Sequence, residues 1–518
     1  MVVQKILLDA PTDRPALGYK DIATAFAGII ADSHPNFAIG IFGGWGSGKT
    51  TLMGAIKSEL PEKGILTVDF NAWRFEREPQ LLVPLLDTIR GALADRAAAL
   101  AKKSLADGGK VPDTADKLWK IAGRVGRVVK ALATGLSGSV GIPGAVTINY
   151  DADAAIKAFQ ALAAPESDGP SSGQEDIAPK SLYVAAFGEL QAAFEGLAGA
   201  GVTRIVIFVD DLDRCLPVNA LDVLESMKLF FDLPGFIFVI GLDESVIDSA
   251  IATKITATMA SARATAADNA TVAEPVRSRQ LGREYAKKIF QVPYTLPVIR
   301  PMQLDSLLRS MYAGTGITDD ELDKLSKLVL PYLEAIAVQR RVNPREVKRF
   351  VNSFTLQTLI HPNDELKPKA ILALQTIAFR PDWQPWYDAV DTNPNGFLRA
   401  IEKYRKHAEQ FYDLSGAFPP DELHVRPGKR EIDRDRAEDD VRDALQADLQ
   451  FSDELRIFLS SRLMTTLMDQ PDLEPYVSSV QSVREPQVAQ TRTRLLMQQP
   501  EPDAPERPMR RLLINSPD

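Results

Sequence analysis

The sequence predicts an α/β protein: a parallel-sheet core with a largely helical insertion, then a helical lid and a mixed, mostly helical C-terminal region. Three observations predict it. Apolar runs of strand length recur at 37–42, 64–70, 203–209 and 235–241. Segments of helical period lie between them, the alternation that builds parallel sheets. A glycine-rich turn joins the first run to the helix that follows it.

Taken in order, residues 20–31 place Ile22, Ala25, Phe26, Ile29 and Ile30 on one helical face. Pro35 breaks that period, Phe37–Phe42 reads as a buried strand, Thr50–Leu60 as a helix and Gly64–Phe70 as a second strand. Residues 80–200 form an insertion, because the sheet resumes after them. It holds an Ala/Leu-rich helix at 85–104 and a basic amphipathic helix at 116–132. Turns with short strands follow at 135–150, then a polar linker at 164–178. A polar arm spans 251–280, a helix 281–289 and a last extended segment 290–297. Residues 1–79 and 201–300 are thus the two halves of the core, and 301–378 the helical lid. Residues 379–485 are the C-terminal helical region and 486–518, rich in Pro and charge, a disordered tail.

Composition narrows the chemistry. Sixty basic against sixty-nine acidic residues give a net charge of −9, so no global field draws the chain to nucleic acid or anionic lipid. Nucleic-acid binding is therefore not supported, although a local patch leaves it open. Cys215 is the lone cysteine, so no intramolecular disulfide forms and a reducing, cytoplasmic setting is expected. The four histidines, at 34, 361, 407 and 424, show no metal-ligand spacing. Residues 1–13 lack a secretory pattern, and no apolar run reaches membrane-spanning length, so no integral span is expected.

The glycine-rich turn carries the chemistry. Gly43, Gly44, Trp45, Gly46, Ser47, Gly48, Lys49 and Thr50 satisfy G-x-x-x-x-G-K-[ST]. Glycines let backbone N–H groups turn inward on phosphate oxygens, and the next helix adds the positive end of its dipole. Lys49 would neutralise terminal phosphate charge, Thr50 would bind Mg²⁺, and Thr51 continues the cradle. The fold class is therefore a P-loop NTPase core with ATP and Mg²⁺ as cofactors. Hydrolysis needs acids opposite the cradle. The strand 203–209 delivers Asp210 to its tip as the metal partner, with Asp211 behind it as general base and Asp213 as the alternative base. Asp243, after the next strand, is either a γ-phosphate sensor or a turn and helix cap.

These residues resemble a known family, the KAP P-loop NTPases. The resemblance rests on Phe42-Gly-Gly-Trp-Gly-Ser-Gly-Lys-Thr-Thr51, Phe70-Asn-Ala-Trp-Arg-Phe-Glu76 and Val209-Asp-Asp-Leu-Asp-Arg-Cys215. Lys288-Ile-Phe-Gln-Val-Pro293 and Asn343-Pro-Arg-Glu-Val-Lys-Arg-Phe350 extend it, in order, across about residues 15–360. It implies an additional-strand P-loop ATPase related to the AAA+ and STAND classes, with a regulatory or assembly role. The family includes plasmid-encoded phage-exclusion proteins and membrane-associated animal scaffolds, which makes a phage-defence role an expectation. Many members carry transmembrane helices between phosphate loop and aspartate strand. Here Lys117, Lys120, Arg124, Arg127 and Lys130 stand in that place, so a soluble member is expected. Opposite them, Leu118, Ile121, Val125, Val128 and Leu132 form an apolar stripe that packs on the core or, failing that, lies on a membrane or nucleic acid.

Four further groups are candidates. Asn343 reads as a helix cap followed by Pro344, which leaves Arg345, Lys348 and Arg349 opposing the helix dipole. Arg345 is either a sensor for bound nucleotide or a salt-bridge partner of Glu334 or Asp364. Arg214 either reaches a neighbouring subunit as an arginine finger or braces the aspartates in its own chain. Arg277, Arg279 and Arg283 are weaker finger candidates, and Trp73 with Arg74 either flank the loop or simply pack. The expected function is Mg²⁺-dependent ATP hydrolysis coupled to assembly or partner regulation. The partner is another copy of the chain in a homo-oligomer, or a protein engaged by the C-terminal region. The alternative is a nucleotide-gated scaffold with negligible turnover.

Overall fold

The computed structural model describes residues 5–9, 12, 16–78, 81–136, 182–228, 230, 233–250, 287–337, 342–361, 365–411 and 431–483. The expected linker at 164–178, the arm at 251–280, the tail at 486–518 and Arg277, Arg279 and Arg283 lie outside the described residues, as does most of 135–150.

Contacts divide the chain into two units. The first comprises Leu7–Thr318 with Gln339–Lys348 and holds the sheet. Its elements run α1 (Tyr19–Asp32), β1 (Phe37–Phe42), α2 (Lys49–Glu59), β2 (Gly64–Asn71), α3 (Leu82–Ala106) and α4 (Asp113–Leu136). They continue with α5 (Leu182–Phe194), β3 (Val202–Asp210), α6 (Pro217–Lys228), β4 (Phe236–Leu242), β5 (Val292–Thr295) and α7 (Leu304–Tyr312).

The five strands pair in the order β2-β3-β4-β1-β5, every pairing parallel. β4 therefore sits between the cradle strand β1 and the aspartate strand β3, the additional-strand arrangement. A sheet covered on both faces needs strands apolar on both sides, which is why these read as continuous apolar runs. Alternate side chains go to opposite cores. Ile205, Ile207 and Val209 of β3 join Phe236, Phe238 and Ile240 of β4 under α3 to α6, whereas Val206, Phe208, Ile237 and Val239 face α1 and α2.

One sequence expectation changes in detail and another holds. The face that α1 buries is Tyr19, Ala23, Phe26, Ala27 and Ile30, while Ile29 is exposed and Ala25 lies outside the core. Alanines let α1 lie close to α2, and that close approach, rather than maximal apolar content, sets the helix rotation. The stripe of α4 behaves as packing: Leu118, Ile121, Val125, Val128 and Leu132 are all buried in the core shared with α3 and α5. Its basic side is partly self-neutralised, with Lys117 on Asp113 at 2.6 Å and Lys120 on Asp116 at 2.7 Å, i to i+4 pairs of small energetic weight. No helix among the described residues is long and apolar enough to cross a membrane.

The second unit comprises Met1–Ile6, Asp319–Val338 and Arg349–Asp518. Its described part is helical, from α8 (Asp319–Ile336) to the helix Glu474–Ser482. Helix α9 (Pro344–Ile360) starts in the first unit and continues in the second, so the stretch 301–378 contributes to both. Arg380, only 3% exposed, is stacked 4.2 Å over Trp383, ion-paired with Asp382 and Glu454 and bonded to the Ala335 carbonyl. Gln357 and Gln375 satisfy each other and the Phe350 carbonyl in the same interior. Buried polar groups that find partners in this way are neutral to stability and strict about geometry.

Candidate functional site

β1 ends at Phe42 and the chain turns through Gly43–Gly48 before α2 opens at Lys49. Gly46 and Gly48 have φ of 78° and 102°, the left-handed region that side chains disfavour. Gly46 is also closed in: an added Cβ would lie 2.7 Å from both Arg345 Cβ and Asn343 Oδ1. Gly46→Ala is expected to lower stability by about 1–3 kcal/mol from backbone strain and collision together. A denaturant midpoint measurement checks this, and an unchanged midpoint would refute the packing described here.

The loop is pinned from two sides. Asn343 donates from Nδ2 to the Trp45 carbonyl at 2.8 Å, and its Oδ1 accepts the Arg345 backbone N–H at 3.0 Å, so it is the helix cap the sequence implies. Tyr19 Oη, from α1, donates to the Ser47 carbonyl at 3.4 Å, and burial raises its phenol to about 12, so it acts as a neutral donor.

Lys49 is 7% exposed. Its Nζ donates to the carbonyls of Gly43 at 2.9 Å and Gly44 at 3.1 Å, and is paired with Asp213 Oδ2 at 2.7 Å. The acids arrive because β3 lies in parallel register with β2 and β4. Asp210 shares a hydrogen bond with the Thr50 side chain and accepts the Asp211 backbone N–H at 2.9 Å. Burial is the main cause that pushes the Asp210 carboxyl above its ordinary value, and those hydrogen bonds only partly oppose it.

Asp211 adopts φ 56°, a left-handed conformation at a non-glycine residue. One oxygen is 2.7 Å from Arg214 Nε and the other accepts Asn71 Nδ2 at 2.6 Å. Arg214 in turn lies 5.4 Å over the half-exposed Trp73 ring. Asn71 terminates β2 directly beside Asp210, so strand register rather than any sequence spacing delivers it. These residues, from Trp45 to Thr51 with the three aspartates and Arg214, line one cleft of about 260 Å³. Asp9, Pro344, Arg345 and Lys348 complete it.

A model of the KAP family P-loop domain matches residues 19–360. The chain belongs to the KAP family of P-loop NTPases. An uncharacterized protein of Methanocaldococcus jannaschii is 28% identical over 198 residues, covering 34% of this chain and 90% of that one. Among solved structures, the ADP form of the Aeropyrum pernix ORC2 protein aligns at 12% identity and a TM-score of 0.35. Its ADPNP-ADP complexes align at 11% and 0.33, and each alignment covers 92% of this chain and 95% of the other.

Within this KAP chain, the cleft gathers Trp45, Gly46, Ser47, Gly48, Lys49, Thr50, Thr51, Asp210, Asp211, Arg214 and Arg345. Gly43 and Gly44 lie behind Lys49 as its acceptors rather than in the wall. Asp243 is not part of the wall; its Oδ1 accepts the Ser245 N–H at 3.0 Å and the Ser245 hydroxyl at 2.8 Å, while Oδ2 would lie 3.9 Å from a Cβ added at Gly44. Arg345 pairs with Asp9, and Asp364, one of the partners the sequence offered, lies outside the described residues. Its guanidinium stacks 4.3 Å over Trp45. Arg349, on the same helix, does not line the cleft, and Arg74 takes the Asn71 side-chain oxygen on its backbone N–H. Two participants escape motif reading: Tyr19 has no spacing signature, and Asp9 lies in a segment without period or motif. Asn71 lies inside the Phe70–Glu76 motif, but nothing in that motif shows that it would meet Asp211.

Proposed function

We propose that the cleft binds ATP with Mg²⁺ and hydrolyses it. The observation that carries this is that Lys49, Thr50 and Asp210 line one cleft at the foot of a glycine cradle, with the lysine buried. The donor set fits the metal: two hard oxygens from protein are what magnesium takes when substrate phosphates and water supply the rest. Among the described residues no group of three or more acids, histidines or cysteines offers an all-protein cage instead. When bound, magnesium supplies charge neutralisation to the phosphates.

The chain's own groups divide the remaining work. Backbone N–H groups of 45–51 orient the phosphates, and Lys49 exchanges Asp213 for phosphate oxygen. Asp211 is the proposed base and Asp213 the alternative, since both line the cleft and exchange of Lys49 onto phosphate would free Asp213. Arg214 braces Asp211 within its own chain, and Arg345 meets the terminal phosphate. Lys49→Ala is expected to abolish nucleotide-dependent phosphate release while leaving the circular dichroism spectrum unchanged. Release at the wild-type rate by that variant would refute the site.

One observation favours a scaffold with very slow turnover as the second reading: Arg214 and Asn71 already occupy both oxygens of Asp211. A single-turnover assay separates the two. Coupling to assembly, through a homo-oligomer or a partner engaged by residues 380–518, is the proposed output. By likeness to the phage-exclusion members of the family, the proposed setting is the bacterial cytoplasm under phage attack.

A further inference from the structure

The segment Leu7–Asp9 reaches the cleft from a part of the sequence without motif. Leu7 is buried at 4% exposure and anchors it. Its backbone is held by Lys348, whose Nζ donates to the Leu8 carbonyl at 2.9 Å. Asp9 then presents its carboxylate to Arg345, with Nε 2.8 Å from Oδ2 and 3.0 Å from Oδ1. Arg345 is 15% exposed and faces the same cleft as Lys49 and Thr50. Burial lowers the Lys348 ammonium, while Asp9 beside it acts to hold the charge.

We infer that Asp9 is a displaceable counter-ion: its carboxylate and the terminal phosphate of a nucleotide compete for Arg345, and triphosphate binding loosens the Leu7–Asp9 strap at Asp9, leaving Leu7 and Lys348 to hold the rest. This inference rests on the nucleotide site proposed above and adds its regulation. Three features carry it. A planar guanidinium takes a carboxylate or a phosphate through the same fork of donors. The phosphate brings more charge, and a cleft less open to solvent than the surface strengthens the preference. The carboxylate itself is 59% exposed, so Asp9 can leave for water without being stranded. Trp45 keeps the guanidinium stacked in place through the exchange.

The strap also reports on itself. Leu8 is 76% exposed, and the single native thiol, Cys215, is buried and pushed up to about 12. A fluorophore on Leu8→Cys therefore labels the strap alone. In the full chain, MgATP is expected to lower the anisotropy of that probe, MgADP to lower it much less, and Lys49→Ala to suppress the change. In a binding titration, Asp9→Asn removes the competitor and is expected to tighten MgATP by about fivefold with little effect on MgADP, since the competent fraction of Arg345 rises. Asp9→Glu, which retains the charge, restores weaker binding. If MgATP bound the wild type but neither its affinity in Asp9→Asn nor the anisotropy moved, the counter-ion role would be overturned and the nucleotide site would stand. If the wild type bound no nucleotide, both would fall together.

Discussion

Asp210→Asn is expected to lose turnover by about a thousandfold or more, since a metal carboxylate contributes several kcal/mol of transition-state charge stabilisation. The same variant is expected to be more stable than the wild type at neutral pH. Burial raises the Asp210 carboxyl, so its charged form is the costly one in the folded chain. The sign follows from linkage. A carboxyl raised by folding favours the native state when protonated, and that advantage fades as pH rises through its folded value. At pH 7 the ionised group is therefore a load on the fold, and the amide removes it while still able to bond with Thr50. Thermal melts of both proteins with and without Mg²⁺ and ATP check this. The wild type should gain melting temperature from the ligands through mass action, and the variant should start higher and gain little. A variant that melts lower and still gains from the ligands would contradict the role given to Asp210.

The two remaining acids are expected to separate by opposite effects. Asp211→Asn should reduce single-turnover hydrolysis by about 10²- to 10⁴-fold, the usual span for loss of a general base, while nucleotide still binds. Asp213→Asn should leave the base in place and tighten nucleotide binding. The phosphates then no longer compete with a buried carboxylate 2.7 Å from Lys49 Nζ. Removing one member of such a pair also strands a charge, so Asp213→Asn should lower stability until nucleotide supplies a new partner. Paired measurements of binding and single-turnover rate distinguish the acids. Should Asp213→Asn lose turnover while Asp211→Asn keeps it, the base assignment reverses.

Much of this was legible in the sequence because it is written in local pattern. Strands covered on both faces must be apolar throughout, so β1 to β4 stand out as runs, and the cradle needs glycines and a lysine at fixed separations. The cap at Asn343 is equally local. The pairing partner of Arg345 was not legible, because Asp9 lies 336 residues away and nothing in its neighbours marks it. Asn71 reaches Asp211 only through the register of two strands separated by the 130 residues between Asn71 and Val202. The rotation of α1 depends on how near a second helix approaches, a quantity that periodicity does not carry. Asp243 shows the reverse limit. A strand-tip acid suits two jobs equally on paper, and here the hydroxyl and amide of Ser245 take one carboxylate oxygen while the other lies beside Gly44 of the cradle.

The backbone at residue 211 bears on which acid this turn accepts. A peptide unit with that mirror-image twist is tolerated by aspartate and asparagine, whose short polar arms can satisfy nearby backbone, and less readily by longer acids. Glutamate would reach farther toward a water molecule yet would have to sit on a twist it disfavours, and it would overshoot the fixed positions of Asn71 and Arg214. Chirality of the chain, more than length of the carboxylate, thus selects the residue that guards this end of the sheet.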